Sequence, residues 1–369
     1  MLSKTAFKKA SLRLLFWALL FLFIAFLAAE GYVRLFSSYE HITPEILKNR
    51  SLGEIPVIGT ILPAKIHDST NTLGAHLHIN SHGYRGREFQ FKKAPGTTRI
   101  IFYGGSAVFD VGNSDPEDWP HRVETSLRQK GFPQVEVINA GVPGYNTYGV
   151  LRNLLTEGFR LEPDYLVLYC AWNDIKYFHY EKPLLRTFSN EITPTPLYEY
   201  QNFIDRWLCE ISQVYVRIRY RYFIWKENIG PEGRKPRTKP TDRIDREMLN
   251  QYHLNLKTFV DVARNIGAVP VLMTEATLIT SHNTPEEKKK IQYDFQSLTP
   301  KSLERAYKLT DILVKETARE KKVFMIDASH FLTGKTQFFY DDGHLSKEGS
   351  AALAAMVSDA LAKLLHPQN

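Results

Sequence analysis

The sequence predicts an α/β protein built on a five-stranded parallel sheet, with a membrane-spanning helix ahead of it. Three observations carry that expectation. Short runs of β-branched and aromatic residues alternate, from Arg99 onward, with stretches whose apolar residues recur at three- and four-residue spacing. The first run, Ile100 to Tyr103, is continuously β-branched or aromatic, as a central strand buried on both faces requires. Leu14 to Ala29 is an unbroken apolar run behind four basic residues and is closed by Glu30.

That amino-terminal run follows Lys4, Lys8, Lys9 and Arg13. At about 1.5 Å per residue it is slightly short for a hydrocarbon core of about 30 Å, and Leu12 and the flank Gly31 to Val33 lengthen it. A cleaved signal peptide is the rival reading. A cut after Ala29 would follow Leu27-Ala28-Ala29, without a small residue at the third position back, so an uncleaved anchor is expected. Positive charge on its amino side places that end in the cytoplasm and everything after Glu30 outside it.

Tyr32 to Gly96 has little periodicity and reads as a stalk and lead-in, giving expected divisions at 1–31, 32–97 and 98–369. Within the lead-in, Asn80 to Glu88 is turn-rich, with Gly83 and Gly86 bracketing Tyr84 and Arg85, and reads as a surface loop on the first strand. Strands are expected at Arg99 to Tyr103, Val135 to Asn139, Tyr165 to Cys170, Val269 to Thr274 and Val323 to Asp327. Helices are expected at Trp119 to Lys130, Tyr148 to Phe159, Met248 to Ile266, Ser302 to Glu320 and Ser350 to Leu365. Between the third and fourth strands an insertion, about Lys176 to Glu247, is far longer than a normal connection and reads as a functional cap. Inside it, Phe203 to Trp225 has a helical apolar face interleaved with Arg206, Arg217, Arg219 and Arg221, suited to packing on the domain or to lying on an anionic membrane. Pro231 to Pro240 reads as an exposed loop.

A chain of 369 residues, 43% hydrophobic and 24% charged, is neither disordered nor fibrous. The net charge of +7 and pI near 9.1 raise the question of nucleic acid. The amino-terminal flank supplies +4, and Tyr215 to Pro240, with eight basic against two acidic residues, supplies +6. Taken from +7, these leave the remainder at −3, so no basic face runs through the body and no nucleic-acid partner is expected. Two cysteines, Cys170 and Cys209, make neither a disulfide framework nor a four-ligand zinc site. Cys170, in a predicted strand, reads as an inert core thiol. There is no P-loop, no dinucleotide fingerprint and no His-Glu-x-x-His, and no cofactor or metal is expected.

Polar residues gather at the predicted strand ends, where open α/β sheets place their chemistry. Gly104-Gly105-Ser106 follows the first strand, Asn139 to Gly144 the second, Ala171-Trp172-Asn173-Asp174 the third, and Asp341-Asp342-Gly343-His344 the fifth. A serine hydroxyl is a weak nucleophile and needs an imidazole to take its proton, which His344 supplies. Asp341, three residues earlier, lies on the same side of a helical turn and can hold the other ring nitrogen. The Ser106 and Gly141 amides with the Asn173 carboxamide would supply three donors to a tetrahedral oxyanion. Asp342 is the alternative orienting acid. His179, with Lys176 three residues before it, and His330 read as surface or supporting residues.

Over about Arg99 to Leu365 this ordered set, Ser106, Gly141, Asn173 and Asp341-x-x-His344, resembles the SGNH, or GDSL-like, hydrolase family. The resemblance implies a flavodoxin-like α/β/α sandwich, a serine nucleophile, a histidine base and an oxyanion hole completed by Gly and Asn. The lead-in Asn80-x-x-Gly83-Tyr84-Arg85-Gly86 is similar to membrane-anchored bacterial members, implying an inner-membrane protein with a periplasmic catalytic domain. Two positions depart from the pattern: Gly105 stands where the family often has Asp, and Ala171 where it often has Gly. The expected function is an extracytoplasmic serine esterase acting on acyl esters, in particular O-acetyl groups on a carbohydrate, or transferring them. A lipid-ester hydrolase at the membrane surface and a non-catalytic scaffold or glycan-binding protein are the alternatives.

Overall fold

The computed structural model describes residues 4–36, 67–70, 74–179, 200–226, 229–230, 233–234, 240–291 and 293–365. The chain divides into two compact units, Met1–Ser51 with Ile192–Lys235, and Leu52–Glu191 with Pro236–Asn369. The boundary expected at 97/98 falls inside the second unit, and the expected insertion is shared between the two. Most of the loop expected at Pro231 to Pro240, and much of the stalk, lie outside the described residues.

The sheet of the second unit holds β1 (Thr98–Gly104), β2 (Val135–Gly141), β3 (Tyr165–Tyr169), β4 (Val269–Met273) and β5 (Phe324–Ile326), in the spatial order β2-β1-β3-β4-β5. Every pairing is parallel, and the order is the flavodoxin-like one, with its topological switch between β1 and β3. The longer helices are α1 (Lys4–Phe36), α2 (Trp119–Gln129), α3 (Thr147–Thr156), α4 (Phe203–Ile211), α5 (Gln213–Lys226), α6 (Arg246–Asn265), α7 (Pro300–Lys321) and α8 (Lys347–Leu365).

Alternate strand residues point to opposite faces, and both faces are covered. Ile101, Tyr103, Leu166, Leu168 and Leu272 pack with α3, α6 and α7. Ile100, Phe102, Val167, Tyr169 and Val271 pack with α2 and α8. The result is the expected three-layer sandwich. β1 and β2 run past their expected ends because Gly104 and Gly141 pair with each other and prolong the ladder. β5 is shorter than expected, an edge strand bonded only to β4. α8 begins before Ser350 because the Ser346 hydroxyl accepts the Gly349 amide, 3.1 Å, and opens the helix early.

Asn80 to Glu88 departs from the surface-loop reading. Asn80, Tyr84 and Arg85 are buried, and Arg85 forms a bridge to Asn139 on β2 rather than lying on β1. A buried guanidinium must find several acceptors. Arg85 pairs with Asp115 at 2.6 Å and donates to the carbonyls of Phe109, Asp110 (2.8 Å) and Asn113 (2.5 Å). Arg99, also buried, pairs with Glu136 at 2.7 Å and donates to the carbonyls of Gln90 and Phe91, 2.7 Å each. The irregular lead-in is therefore stapled to the sheet by two arginines.

In the first unit, Arg13–Leu35 of α1 has a mean hydropathy of 2.3 over its most apolar window and is long and apolar enough to cross a membrane. α4 packs on α5, and α5 packs on α1. Cys170 and Cys209 are both buried and unbridged.

Candidate active site

Ser106 leaves the sheet directly. β1 ends at Gly104, and Ser106 opens the single helical turn Ser106–Phe109, which closes at Asp110 in the left-handed region, φ +60°. The carbonyls of Phe109 and Asp110 at the end of that turn are the ones Arg85 holds. Gly105 is required by space. A Cβ there would lie 2.7 Å from Asn173 Nδ2 and 2.9 Å from the Tyr145 carbonyl, so the acid common at this position in the resembling family has no room in this backbone.

His344 reaches Ser106 from the loop before α8. Its Nε2 lies 2.7 Å from Ser106 Oγ, and its Nδ1 lies 2.6 Å from Asp341 Oδ2. The other oxygen of Asp341 accepts the amides of His344, at 2.7 Å, and Gly343, at 3.0 Å, which fixes the carboxylate before it orients the ring. Burial raises the Asp341 pKa, but these bonds and the His344 charge outweigh it, and the carboxyl stays below its usual range. For His344, burial disfavours the protonated ring. The bond to Asp341 and the charges of Asp341, Asp342 and Glu275 more than offset it and raise the imidazole above its ordinary 6.5. Tyr340 stacks on the ring, with centroids 5.6 Å apart and planes 10° from parallel. Asp342 does not take the orienting role. It is buried with its carbonyl accepting Thr277 Oγ1, while Nδ1 of His344 is held by Asp341.

Of the three groups expected as oxyanion donors, two keep a hydrogen that no protein group takes among the described residues. The Ser106 amide, at the start of its turn, donates to no protein group among the described residues. The Asn173 carboxamide gives one hydrogen to the Tyr145 carbonyl, 2.8 Å, leaving a second. Asn173 lines the same cavity as Ser106 and His344, with Tyr145, Trp172 and Gly343. Gly141 is a correction. Its amide donates to Asn139 Oδ1 at 3.0 Å, and its Cα is pressed so close to the Ser106 turn that a Cβ would lie 2.2 Å from the Phe109 nitrogen. Its absent side chain lets β2 approach that turn, and its N–H is already engaged. Later in the same loop Gly144 is exposed, at φ +86°, beside the cavity residue Tyr145.

The strand end left without a polar group by sequence is also occupied. Glu275, directly after β4 and Thr274, is buried in the cavity wall and accepts the amides of Ala171 and Trp172, the latter at 3.0 Å. It thereby seats the turn that carries Asn173. Burial pushes its carboxyl up to about 7 against those amides and the charge of His344. An acid closing an apolar strand, Val269 to Met273, was the available signal. Asp174 anchors the other end, accepting the Thr147 amide and hydroxyl at 3.0 and 2.5 Å, and burial raises it to about 7. His179 and His330 do not line the cavity.

Asp115, Asp118 and His121 bring ligand-type atoms within 4.8 Å of one another. Protein partners already take them: Asp115 holds Arg85, while Asp118 holds His121 at 2.6 Å and Asn139 at 2.9 Å. The group is a structural knot behind the Ser106 turn.

No protein-family model and no curated protein matches the sequence. Among solved structures the chain is similar to a catalytic mutant of an acetylxylan esterase from Geobacillus stearothermophilus, at 13% identity over 72% of this chain and 94% of that one, TM-score 0.41. It is similar to an alpha/beta hydrolase enzyme from the metagenome of Lake Arreo, Spain, at 12% identity over 75% of this chain and 99% of that one, TM-score 0.44. A GDSL-like lipase from Bacteroides thetaiotaomicron is similar at 12% identity over 72% and 89%, TM-score 0.39.

Proposed function

We propose that this protein is an SGNH-type serine esterase, anchored in a bacterial inner membrane by α1 with its catalytic unit on the periplasmic side, and that it removes or transfers O-acetyl groups on a carbohydrate. The observation that carries the catalytic reading is the continuous relay from Asp341 through His344 to Ser106, at 2.6 and 2.7 Å, with the Asn173 carboxamide in the same cavity. Ser106 Oγ attacks the ester carbonyl as its proton passes to His344 Nε2. The tetrahedral oxyanion is met by the Ser106 amide and Asn173. Collapse breaks the ester C–O bond, and His344 returns the proton to the departing alcohol. Water then attacks the acyl-Ser106 by the same route, releasing the acid and restoring the serine. In transfer, a sugar hydroxyl takes the place of water.

The cavity supports a short acyl group. The free space between Ser106, Tyr145, Trp172 and His344 is small, about 10 Å³, so a long acyl chain has no room within it. The basic flank of α1 supports the orientation. A lipid ester is the second substrate class, favoured by the exposed apolar side chains of α4 and α5.

The test is turnover of p-nitrophenyl acetate by the detergent-solubilised full chain together with labelling by a fluorophosphonate, in wild type and Ser106→Ala. Both signals are expected in wild type and neither in the variant. A folded wild type with neither signal would favour a scaffold. Release of acetate from acetylated oligosaccharide, compared with hydrolysis of a short-chain phospholipid, separates the two substrate classes.

A further inference from the structure

The first unit carries a surface that the esterase reading does not use. On α4, Phe203, Ile204, Trp207 and Ile211 are exposed, and on α5, Ile218, Tyr220, Tyr222 and Trp225 are exposed. Elsewhere outside α1, the exposed large apolar residues among the described residues are Leu155, Phe159, Leu254, Val269, Ile312 and Phe331, spread over the second unit. Single exposed apolar residues are ordinary, but eight within 23 residues form a patch that asks for a partner. Phe203, Trp207 and Ile211 recur every four residues on α4, while Ile218, Tyr222 and Trp225 recur at four and three on α5, so each helix presents one apolar stripe.

The helices are locked to each other and to the end of α1. Asp205 on α4 takes the buried Arg219 of α5 in a two-pronged pair, 2.7 and 2.9 Å, and accepts the Tyr215 hydroxyl at 2.7 Å. Glu30 of α1 accepts the Gln213 and Val214 amides at 2.8 and 3.0 Å and the Ser212 hydroxyl at 2.9 Å, closing the amino terminus of α5. Arg34 of α1 donates to the Ile211 carbonyl at 2.7 Å, closing the carboxyl terminus of α4. The junction between α4 and α5 is thus fixed at Glu30, where the apolar run of α1 stops. From Leu14 to Glu30 an α-helix rises about 24 Å, close to the roughly 30 Å of a hydrocarbon core, so the junction belongs at the outer boundary of that core.

We propose that α4 and α5 form an interfacial platform lying in the outer headgroup layer of the bilayer that α1 crosses, with anionic phospholipid as its occupant. Trp and Tyr suit that layer because their rings are apolar with one polar atom. Arg221 and Lys226, exposed beside the α5 stripe, give it the charge that anionic headgroups match. The inference rests on the reading of α1 as a membrane span.

The test places nitroxide labels on cysteines introduced singly at Trp207, Trp225 and Phe21 of the full chain in nanodiscs of phosphatidylcholine and phosphatidylglycerol, Cys170 and Cys209 being buried. Collision with lipid-soluble oxygen is compared with collision with a water-soluble nickel chelate. Expected is a deep label at Phe21 and labels at Trp207 and Trp225 that favour oxygen over nickel at headgroup depth, with Arg221→Glu moving the Trp225 label outward. A deep Phe21 label with Trp207 and Trp225 open to nickel overturns the platform and leaves the anchor standing. Labels at the two tryptophans shielded from both reagents also overturn it, in favour of a protein occupant. An aqueous Phe21 label overturns the anchor reading itself. Two label sites keep the test valid where one substitution misfolds.

Discussion

A serine becomes a nucleophile when the group beside it can take a proton and is held still while doing so. His344 meets the first condition only when neutral. Its pKa is raised above the ordinary 6.5, so activity is lost as pH falls through a point above that value. The acid limb of kcat/KM against pH is expected there. In Asp341→Asn the carboxylate that raises the imidazole is gone, and the limb is expected to move to lower pH while kcat falls by about 10⁴, as the wrong tautomer is held. An unmoved limb would remove Asp341 from the relay. Gly105 is the second informative residue. Gly105→Ala drives a Cβ into Asn173 and the Tyr145 carbonyl, and a displaced oxyanion donor costs about 10² to 10³ in kcat. Wild-type kcat in Gly105→Ala would mean that Asn173 does not serve the transition state.

At the scale of elements, the turns that carry the chemistry are held by charged residues distant in sequence. Arg85→Met leaves Asp115 and three carbonyls without the guanidinium, and the loss of a buried pair of this kind costs about 3–5 kcal/mol. A urea unfolding curve should show it, with no rescue in Arg85→Lys, whose single ammonium cannot span the same acceptors. Glu275→Ala strips the acceptor from two amides in front of Asn173, a stability cost of about 1–3 kcal/mol. Its kcat should fall with KM little changed, and Glu275→Gln, which keeps a carbonyl oxygen, should recover most of the stability. These dependencies mark the limit of what residue patterns disclose. Strands of the sheet interior were legible because burial on both faces demands continuous apolar runs. Ser106, Asn173 and His344, singled out as polar residues that close apolar runs, line one cavity, with Asp341 bonded to His344. Arg85 and Glu275 act through backbone groups tens or hundreds of residues away, which no local spacing encodes. Gly141 was misread for the same reason. A glycine after a strand suggests an open amide, and only the tertiary contact reveals that Asn139 already holds it.

For the whole molecule, the proposed anchoring by α1 predicts a protein that works on one side of a membrane. Alkaline carbonate should leave the full chain in the membrane pellet, and protease added to spheroplasts should digest the catalytic unit. Release by carbonate, or protection from external protease, would reverse the anchoring or the sidedness respectively. The insertion divides between the two units in a way its place along the chain does not encode. Read along the chain it is a cap on the domain that contains it, yet α4 and α5 belong to the unit of α1, because Glu30 and Arg34 supply the charges that their facing ends lack. The central claim remains an acyl-enzyme on Ser106. The most direct measurement is to quench the full chain during turnover of an activated acetyl ester and map the acetylated peptide by mass spectrometry. Acetyl on Ser106 in wild type, accumulating when the attacking water is outpaced and absent in Ser106→Ala, is the predicted result. Turnover that continues with Ser106 unmodified, or acetyl found on another residue, would contradict it.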